Sequence, residues 1–166
     1  MRELLIERLE PHHWERVRAI YMEGIATRNA TFETAAPTWE EWDAQHLPIG
    51  RLIASVAGEV VGWAALGPVS RRAVYRGVAE VSVYVAASHR GAGVGRALLA
   101  ELIRVAEANG IWTLQAAVFP ENAATLRLHE TAGFRRVGYR ERIAQLDGQW
   151  RDTVLLERRS AFVGAD

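Results

Sequence analysis

The chain has 166 residues, of which 49% are hydrophobic and 24% charged, and its formal net charge is zero. This composition is typical of a single globular domain, and the balanced charge gives no electrostatic basis for binding nucleic acid. The sequence lacks cysteine and lysine, which excludes disulfides, thiolate metal sites, a covalent cysteine intermediate and lysine chemistry. Because no apolar run approaches the roughly 20 residues of a membrane helix, we expect a cytoplasmic protein without membrane contact.

Helices and strands alternate in the first half of the predicted secondary structure. Thr38 and Glu41 have the spacing of a capping box, in which each side chain satisfies a free N–H group at the start of a helix. The predicted elements are a strand over 3–9, an amphipathic helix from Trp14 to Ile25, a helix over 39–46, strands over 52–56 and 60–66, and a loop over 67–77.

The second half of the chain begins with a strand whose valines alternate with polar residues. Asn122 is a candidate cap for the second helix of this half. The predicted elements are a strand over 79–85, a helix over 94–109, a strand over 112–118, a helix over 123–131, and strands over 134–143 and 153–157 around a turn at Asp147 and Gly148. We predict one domain over 1–166 with a mixed α/β sheet, and residues 159–166 as a frayed tail.

Three glycines separate the strand over 79–85 from the helix that follows it. Gly91, Gly93 and Gly95 leave a turn with little side-chain bulk, so several backbone N–H groups can point at one anion with the helix dipole behind them. The pattern predicts a phosphate-binding turn.

The spacing of the glycines alone does not identify the ligand that carries the phosphate. A dinucleotide fingerprint needs glycine or alanine where Arg96 stands and an acidic residue after the next strand, where Glu121 is available. A P-loop needs a lysine, which the chain lacks. A tight turn without any ligand is the remaining alternative, although three glycines are more than a turn needs.

Motifs on both sides of the turn resemble a known family. The segment Arg90-Gly91-Ala92-Gly93-Val94-Gly95 is similar to the Arg/Gln-x-x-Gly-x-Gly/Ala signature of the GNAT N-acetyltransferase superfamily, and Asn122 with Leu126, His129 and Ala132-Gly133-Phe134 resembles a second element of it. Segments 78–85, 127–134 and 148–152, with Phe32-Glu33-Thr34, Trp42 and Gly67-Pro68, resemble the phosphinothricin and methionine sulfoximine N-acetyltransferases over about residues 3–157.

This resemblance implies a fold, a co-substrate and an assembly. The implied fold is α/β, a single GNAT-like domain whose mixed, mostly antiparallel sheet has a splayed central strand pair and helices on both faces. Acetyl-CoA is the implied co-substrate, and the implied assembly is a homodimer. The implied cofactor-binding residues are Val83, Tyr84, Val85, Arg90, Gly91, Ala92, Gly93, Val94, Gly95, Arg96 and Asn122. The five histidines lack metal-ligand spacing, so no metal is expected.

Two residues are candidates for acid–base chemistry. Glu80 lies upstream of the glycine turn on the strand face opposite the valines, where a carboxylate can deprotonate an amine directly or through water. A structural ion pair with an arginine is the alternative for Glu80. The resemblance implies that Glu80 is the base and that His129 is the acid for the coenzyme A thiolate. Packing of His129 against the sheet is its alternative role.

The acceptor site is the part of the sequence that departs most from the family. Val78 and Ala79 stand where relatives have threonine and valine, and the loop 70–76 is distinctive. We predict that Arg72 and Arg76 bind an acceptor carboxylate and that Phe32 and Tyr75 form apolar walls. The implied reaction is acetylation of the α-amino group of phosphinothricin, methionine sulfoximine or methionine sulfone. The alternatives are another amine, such as a polyamine or a protein N-terminus, and a non-catalytic acyl-CoA-binding module.

Overall fold

An open sheet with helices on both faces forms the fold in the computed structural model, which describes residues 2–166. The described residues form strands β1 (Leu4–Arg8), β2 (Leu52–Val56), β3 (Glu59–Pro68), β4 (Val78–Val85), β5 (Thr113–Val118), β6 (Arg135–Leu146) and β7 (Gln149–Arg159), and helices α1 (Trp14–Ala26), α2 (Trp39–Gln45), α3 (Val94–Ala108) and α4 (Ala123–Thr131). The strand order is β1-β2-β3-β4-β5-β7-β6, and only β4 and β5 are parallel neighbours among these strands. The predicted mixed, mostly antiparallel sheet is confirmed. None of the four helices is both long and apolar enough to cross a membrane.

The central strands β4 and β5 pair over three residues and then separate. Their last pair joins Glu80 to Gln115. Beyond this point β4 stays paired with β3 as far as Val85, whereas β5 stays paired with β7. The edge of β4 that faces β5 therefore has no strand partner after Glu80, and a cleft opens there. The splayed strand pair implied by the resemblance is confirmed.

Each face of the sheet has its own core because side chains alternate along β3. Ala64 and Leu66 pack with the apolar side of α3, while Trp63 and Ala65 pack with residues of α1 and α2 on the opposite face. On β4 the same alternation turns the valines toward α3 and Tyr84 toward α1. Helices on both faces, as expected, result from this pattern.

The β6–β7 hairpin is longer than the sequence pattern predicts, although its turn lies at Asp147 and Gly148 as expected. Much of the additional strand length is polar and exposed. These residues lack the alternation of apolar and polar side chains from which a strand is predicted. Its register shifts between Arg140 and Ala144. The carboxylate of Asp152 accepts a 2.7 Å hydrogen bond from the N–H group of Arg142 in this bulge.

Residues 159–166, predicted as a frayed tail, make several hydrogen bonds to one another and to α3. Arg159 is the last residue of β7, and its guanidinium donates to the carbonyls of Val163 at 2.7 Å and Gly164 at 2.6 Å. The hydroxyl of buried Ser160 donates to the carboxylate of Glu107 at 3.1 Å. These hydrogen bonds to backbone and side chain leave no periodic signal in the sequence.

Candidate active site

The glycine turn presents backbone N–H groups at the start of α3. Gly91 and Gly93 have φ angles of 77° and 84°, a left-handed conformation that glycine adopts without strain. Among residues 2–166 no side chain caps α3, and the N–H group of Ala97 makes a helical hydrogen bond to Gly93. The N–H groups of the first turn are therefore available to a ligand at the positive end of the helix dipole. This geometry suits an anion such as a phosphate.

A cavity of about 920 Å³ extends from this turn along the open edge of β4. Residues 83–85, the glycine turn and one face of α4 form its walls. Each residue expected to bind the cofactor lines this cavity except Ala92, whose side chain is exposed. An elongated ligand with an anionic group at the turn fits these walls.

Three guanidinium groups border the large cavity. Arg90 and Arg96 flank the glycine turn, and Arg127 contributes from α4. Sequence reasoning missed Arg127. Its distance of one helical turn from Ala124 and Thr131, which also line the cavity, is the signal that identifies it.

A smaller cavity of about 380 Å³ lies where β4 and β5 diverge. Glu80, Ser82 and Tyr84 reach it from β4, and residues 116–118 reach it from β5. The two cavities adjoin because both are lined by Asn29, Ala30, Val83, Tyr84, Asn122 and Thr125. A ligand in the large cavity can therefore reach the small cavity, which Glu80 lines.

Glu80 lies at the fork of the two strands with its side chain exposed to the small cavity. The amide of Gln115 donates to its carboxylate at 3.3 Å. No arginine within residues 2–166 forms an ion pair with Glu80, so the alternative role in a structural ion pair is not supported. Its carboxylate is open to a ligand.

His129 lines the small cavity from α4 and is 4% exposed. Its Nδ1 lies 2.8 Å from the carbonyl oxygen of Thr125, which can only accept, so Nδ1 carries the proton. Burial lowers the pKa of His129 below its ordinary value. Near neutral pH the ring is therefore neutral with a lone pair at Nε2. The expected acid role requires a proton at Nε2, which this state does not provide.

Asn122 caps α4 as predicted, accepting a 3.2 Å hydrogen bond from the N–H group of Thr125. Its amide nitrogen donates to the carbonyl of Asn29 at 3.0 Å. Both polar ends of the side chain are thus bonded within the protein. Asn122 shapes the wall between the two cavities.

The acceptor residues predicted from the sequence are only partly brought together. Phe32 lines the small cavity, but Arg72, Tyr75 and Arg76 line neither cavity. They precede β4, on the paired side of the fork. The guanidinium of Arg72 lies over Tyr75 at 5.6 Å, and that of Arg76 lies over Trp112 at 5.4 Å. The predicted carboxylate clamp is not formed within this chain.

The small cavity instead contains acidic and aromatic groups that sequence reasoning did not assign. Glu33 is a second carboxylate in its lining, and Tyr21 stacks on Tyr84 with ring centroids 4.9 Å apart. Burial raises the pKa of Tyr84 well above its ordinary value, so this phenol stays neutral. No arginine belongs to the lining of this cavity. Glu33 follows predicted Phe32 directly, which is the signal that could have identified it.

No group of three metal-ligating side chains is clustered anywhere in the described chain, residues 2–166. The groups that line the two cavities are carboxylate, imidazole, phenol and guanidinium groups together with the backbone.

Comparison with known proteins agrees with this geometry. The family model described as Acetyltransferase (GNAT) family matches residues 12–134. The chain is 38% identical over 134 residues to the L-methionine sulfoximine/L-methionine sulfone acetyltransferase of Pseudomonas aeruginosa, which covers 80% of this chain and 73% of that protein.

Solved structures give the same assignment. A phosphinothricin acetyltransferase of Sinorhizobium meliloti in complex with acetyl-CoA aligns with a TM-score of 0.88 and 26% identity, covering 98% of this chain and 91% of that one. A ribosomal-protein-alanine N-acetyltransferase of Brucella melitensis aligns with a TM-score of 0.86 and 31% identity, covering 94% and 99%. The chain therefore belongs to the GNAT acetyltransferase family and is an N-acetyltransferase that uses acetyl-CoA.

Proposed function

We propose that this enzyme transfers an acetyl group to the α-amino group of a small amino acid or amino acid analogue. Phosphinothricin, methionine sulfoximine and methionine sulfone are the first acceptors to test, because similar proteins are named for them. The observation that carries the proposal is the junction of a cavity of about 380 Å³ containing Glu80 with the larger one. The smaller volume lies near the lower end of small-molecule sites.

Acetyl-CoA supplies an activated acyl group, and residues around the large cavity would bind it. The unpaired N–H groups between Gly91 and Arg96 would hold the pyrophosphate, with Arg90 and Arg96 adding charge-assisted contacts. The open edge at Val83–Val85 would pair with the amides of the pantetheine arm as an added strand does. Arg127 is placed to meet another phosphate.

Glu80 and His129 would carry the proton transfers. A protonated amine has no lone pair, so Glu80 takes one proton from the acceptor, directly or through water, before nitrogen bonds to the thioester carbon. The bonded nitrogen then has one proton in excess, which Nε2 of neutral His129 accepts. As the carbon–sulfur bond breaks, the imidazolium returns that proton to sulfur. Direct attack fits a chain without cysteine.

The charge of the small cavity favours an acceptor that arrives as an ammonium ion. Glu33 and Glu80 both line it. An α-carboxylate then needs a cation from elsewhere, and we propose that Arg72 or Arg76 of a second copy provides it in a cytoplasmic homodimer. Exposed apolar side chains on the β6–β7 hairpin, including Tyr139 and Trp150, support such an assembly. Light scattering after size-exclusion chromatography tests it.

A screen of acceptors measures this function directly. Purified enzyme and acetyl-CoA are incubated with phosphinothricin, methionine sulfoximine, methionine sulfone and ordinary amino acids, and free thiol is followed over time. We expect thiol release with at least one analogue and the N-acetyl product by mass spectrometry. Thiol release with polyamines alone would contradict the acceptor class, and binding of acetyl-CoA without release by any amine would indicate a non-catalytic module.

Acetylation of a protein N-terminus is a second candidate, favoured by the 31% identity to the ribosomal-protein-alanine N-acetyltransferase. A peptide acceptor has an amide where a free amino acid has its carboxylate. Short peptides that begin with alanine, added to the same assay, separate the two candidates. Higher kcat/KM for such a peptide than for every free amino acid would favour this second function.

A further inference from the structure

One wall of the small cavity is a segment without regular secondary structure, residues 27–33, here named the acceptor strap. Thr31, Phe32 and Glu33 line only the small cavity, while Asn29 and Ala30 line both cavities. The side-chain hydrogen bonds within the strap are short-range, such as that from the N–H group of Glu33 to the Thr31 hydroxyl at 3.1 Å. Its position across the cleft therefore depends on contacts from other elements.

Arg151 of β7 supplies several of these contacts with one guanidinium group. It donates to the carbonyl of Arg28 at 2.8 Å and to the side-chain oxygen of Asn29 at 3.1 Å. It also pairs with the carboxylate of Glu121 at 3.3 Å. The side chain of Arg151 is only 17% exposed, so solvent competes little for these groups. The strap is thus fastened to a strand more than one hundred residues away in the chain.

The same guanidinium also supports the aromatic part of the cavity wall. It lies 4.0 Å from the ring centroid of Phe119, within the range of a cation–π contact. Phe119 meets Phe32 of the strap edge to face at 4.9 Å, and both rings line the small cavity. Arg151 itself lines neither cavity. Arg151 therefore lies outside the small cavity and contacts residues that the acceptor would also contact.

We propose that Arg151 is a positioning residue that sets acceptor affinity by holding the acceptor strap and Phe119 in place. The proposal rests on the proposed function. Arginine suits this role because its planar fork can bond two oxygens while its face stacks on a ring, which lysine cannot do. Acetyl-CoA binding is largely independent of Arg151, since the glycine turn and α3 lie on other elements.

The test compares Arg151→Met and Arg151→Lys with a matched control on the same strand. Arg158 is 23% exposed, pairs with Glu107 at 2.8 Å and lines neither cavity, so Arg158→Met also removes a half-buried guanidinium. In Arg151→Met we expect the acceptor KM to rise about tenfold, as for a lost charge-assisted hydrogen bond, with the acetyl-CoA KM changed less than about threefold. Arg151→Lys recovers part of this loss, and Arg158→Met leaves both KM values unchanged.

An equal rise of the acetyl-CoA and acceptor KM in Arg151→Met, or the same acceptor KM as in Arg158→Met, overturns the proposal. Hydrogen exchange separates this outcome from failure of the proposed function, because it needs no acceptor. Faster exchange at residues 28–33 in Arg151→Met but not in Arg158→Met supports the anchor even if the wild-type enzyme acetylates none of the analogues. Unchanged exchange in both variants overturns it.

Discussion

The two adjoining cavities are built in different ways. The large one takes its anion site from consecutive backbone groups, where Gly91 and Gly93 allow the turn and α3 begins without a cap. The small one takes its groups from α1, the acceptor strap, β4, β5, the turn after β5, α4 and β7, with Thr153 as the contribution of β7. The anion site of the large cavity is thus a local structure at the start of α3. The small cavity exists only after the whole sheet has formed.

This difference determines how each cavity tolerates change. A backbone site has few side chains to substitute, so a relative keeps the cofactor as long as the turn keeps its conformation. A site assembled from side chains on many segments can change its ligand through any of them, because substitution of Glu33, Phe32 or Phe119 would alter its charge or shape. Cofactor identity is therefore readable at family level, whereas acceptor identity belongs to the individual chain.

The largest effect expected is on the backbone site. Valine at position 93 must adopt a φ of 84°, which is strained for a β-branched residue, so the turn that presents the N–H groups would have to change its conformation. We expect Gly93→Val to lose acetyl-CoA binding in calorimetry. Gly110→Val is the matched control at the other end of α3. Gly110 has a φ of 80°, and a Cβ atom added there would meet no atom within 4 Å. Loss of affinity in both variants would assign the effect to folding instead.

Replacement of the base is expected to have the next largest effect. Glu80→Gln keeps the shape of the side chain but removes proton acceptance, so turnover at neutral pH should fall about a hundredfold or more while acetyl-CoA affinity is retained. The loss should shrink at alkaline pH, where the acceptor amine loses its proton to solvent. Glu33→Gln, in the same cavity, should change the acceptor KM more than kcat. Unchanged turnover in Glu80→Gln would remove Glu80 from the mechanism.

The contrast between the cavities also explains how far the sequence could predict the molecule. The capping box of Thr38 and Glu41 forms as expected, with the Glu41 N–H group donating to the hydroxyl at 3.2 Å, because both partners lie in one turn. The role of Arg151 could not be predicted, since its partners Arg28 and Asn29 come from the opposite end of the chain. The positions of Arg72 and Arg76 outside both cavities could not be predicted either, because adjacency to β4 in sequence does not indicate on which side of Glu80 the loop lies.

A pH-dependent effect is expected from the buried histidine of the small cavity. Burial lowers the pKa of His129 in the folded state below the ordinary value of 6.5, so the unfolded chain binds this proton more readily. The contribution of His129 to the free energy of unfolding is therefore complete above pH 6.5 and is lost as the pH falls toward the pKa of the folded state. In urea titrations at pH 7.5 and 5.0, His129→Gln should lose less stability between the two values than the wild type.

The remaining slope in His129→Gln belongs partly to His46, whose pKa is also lowered by burial. His12→Gln, at an exposed position beside His13, serves as the control and should change the slope less than His129→Gln does. A wild-type slope in His129→Gln would mean that folding does not lower the pKa of His129.

The smallest effect is expected from the exposed arginines that lie outside both cavities. Arg72→Ala should raise the acceptor KM about three- to tenfold if a second copy supplies this guanidinium, as for a charge-assisted hydrogen bond at a wet site, and should leave the acetyl-CoA KM unchanged. Arg71→Ala, one residue earlier and also exposed, is the control. Arg76→Ala tests the other candidate in the same way.

Mixing variants decides whether the arginine acts across an interface. When Arg72→Ala and Glu80→Gln chains are unfolded together and refolded, mixed dimers contain one site with an intact Glu80 and with Arg72 from the other copy. Such a site should combine the wild-type acceptor KM with normal turnover. Neither variant shows this combination by itself. If the mixture behaves as the sum of its two parents, Arg72 does not reach the neighbouring site. The same mixture with Arg76→Ala then decides whether the other arginine of the second copy binds the acceptor carboxylate or whether groups within the same chain bind it.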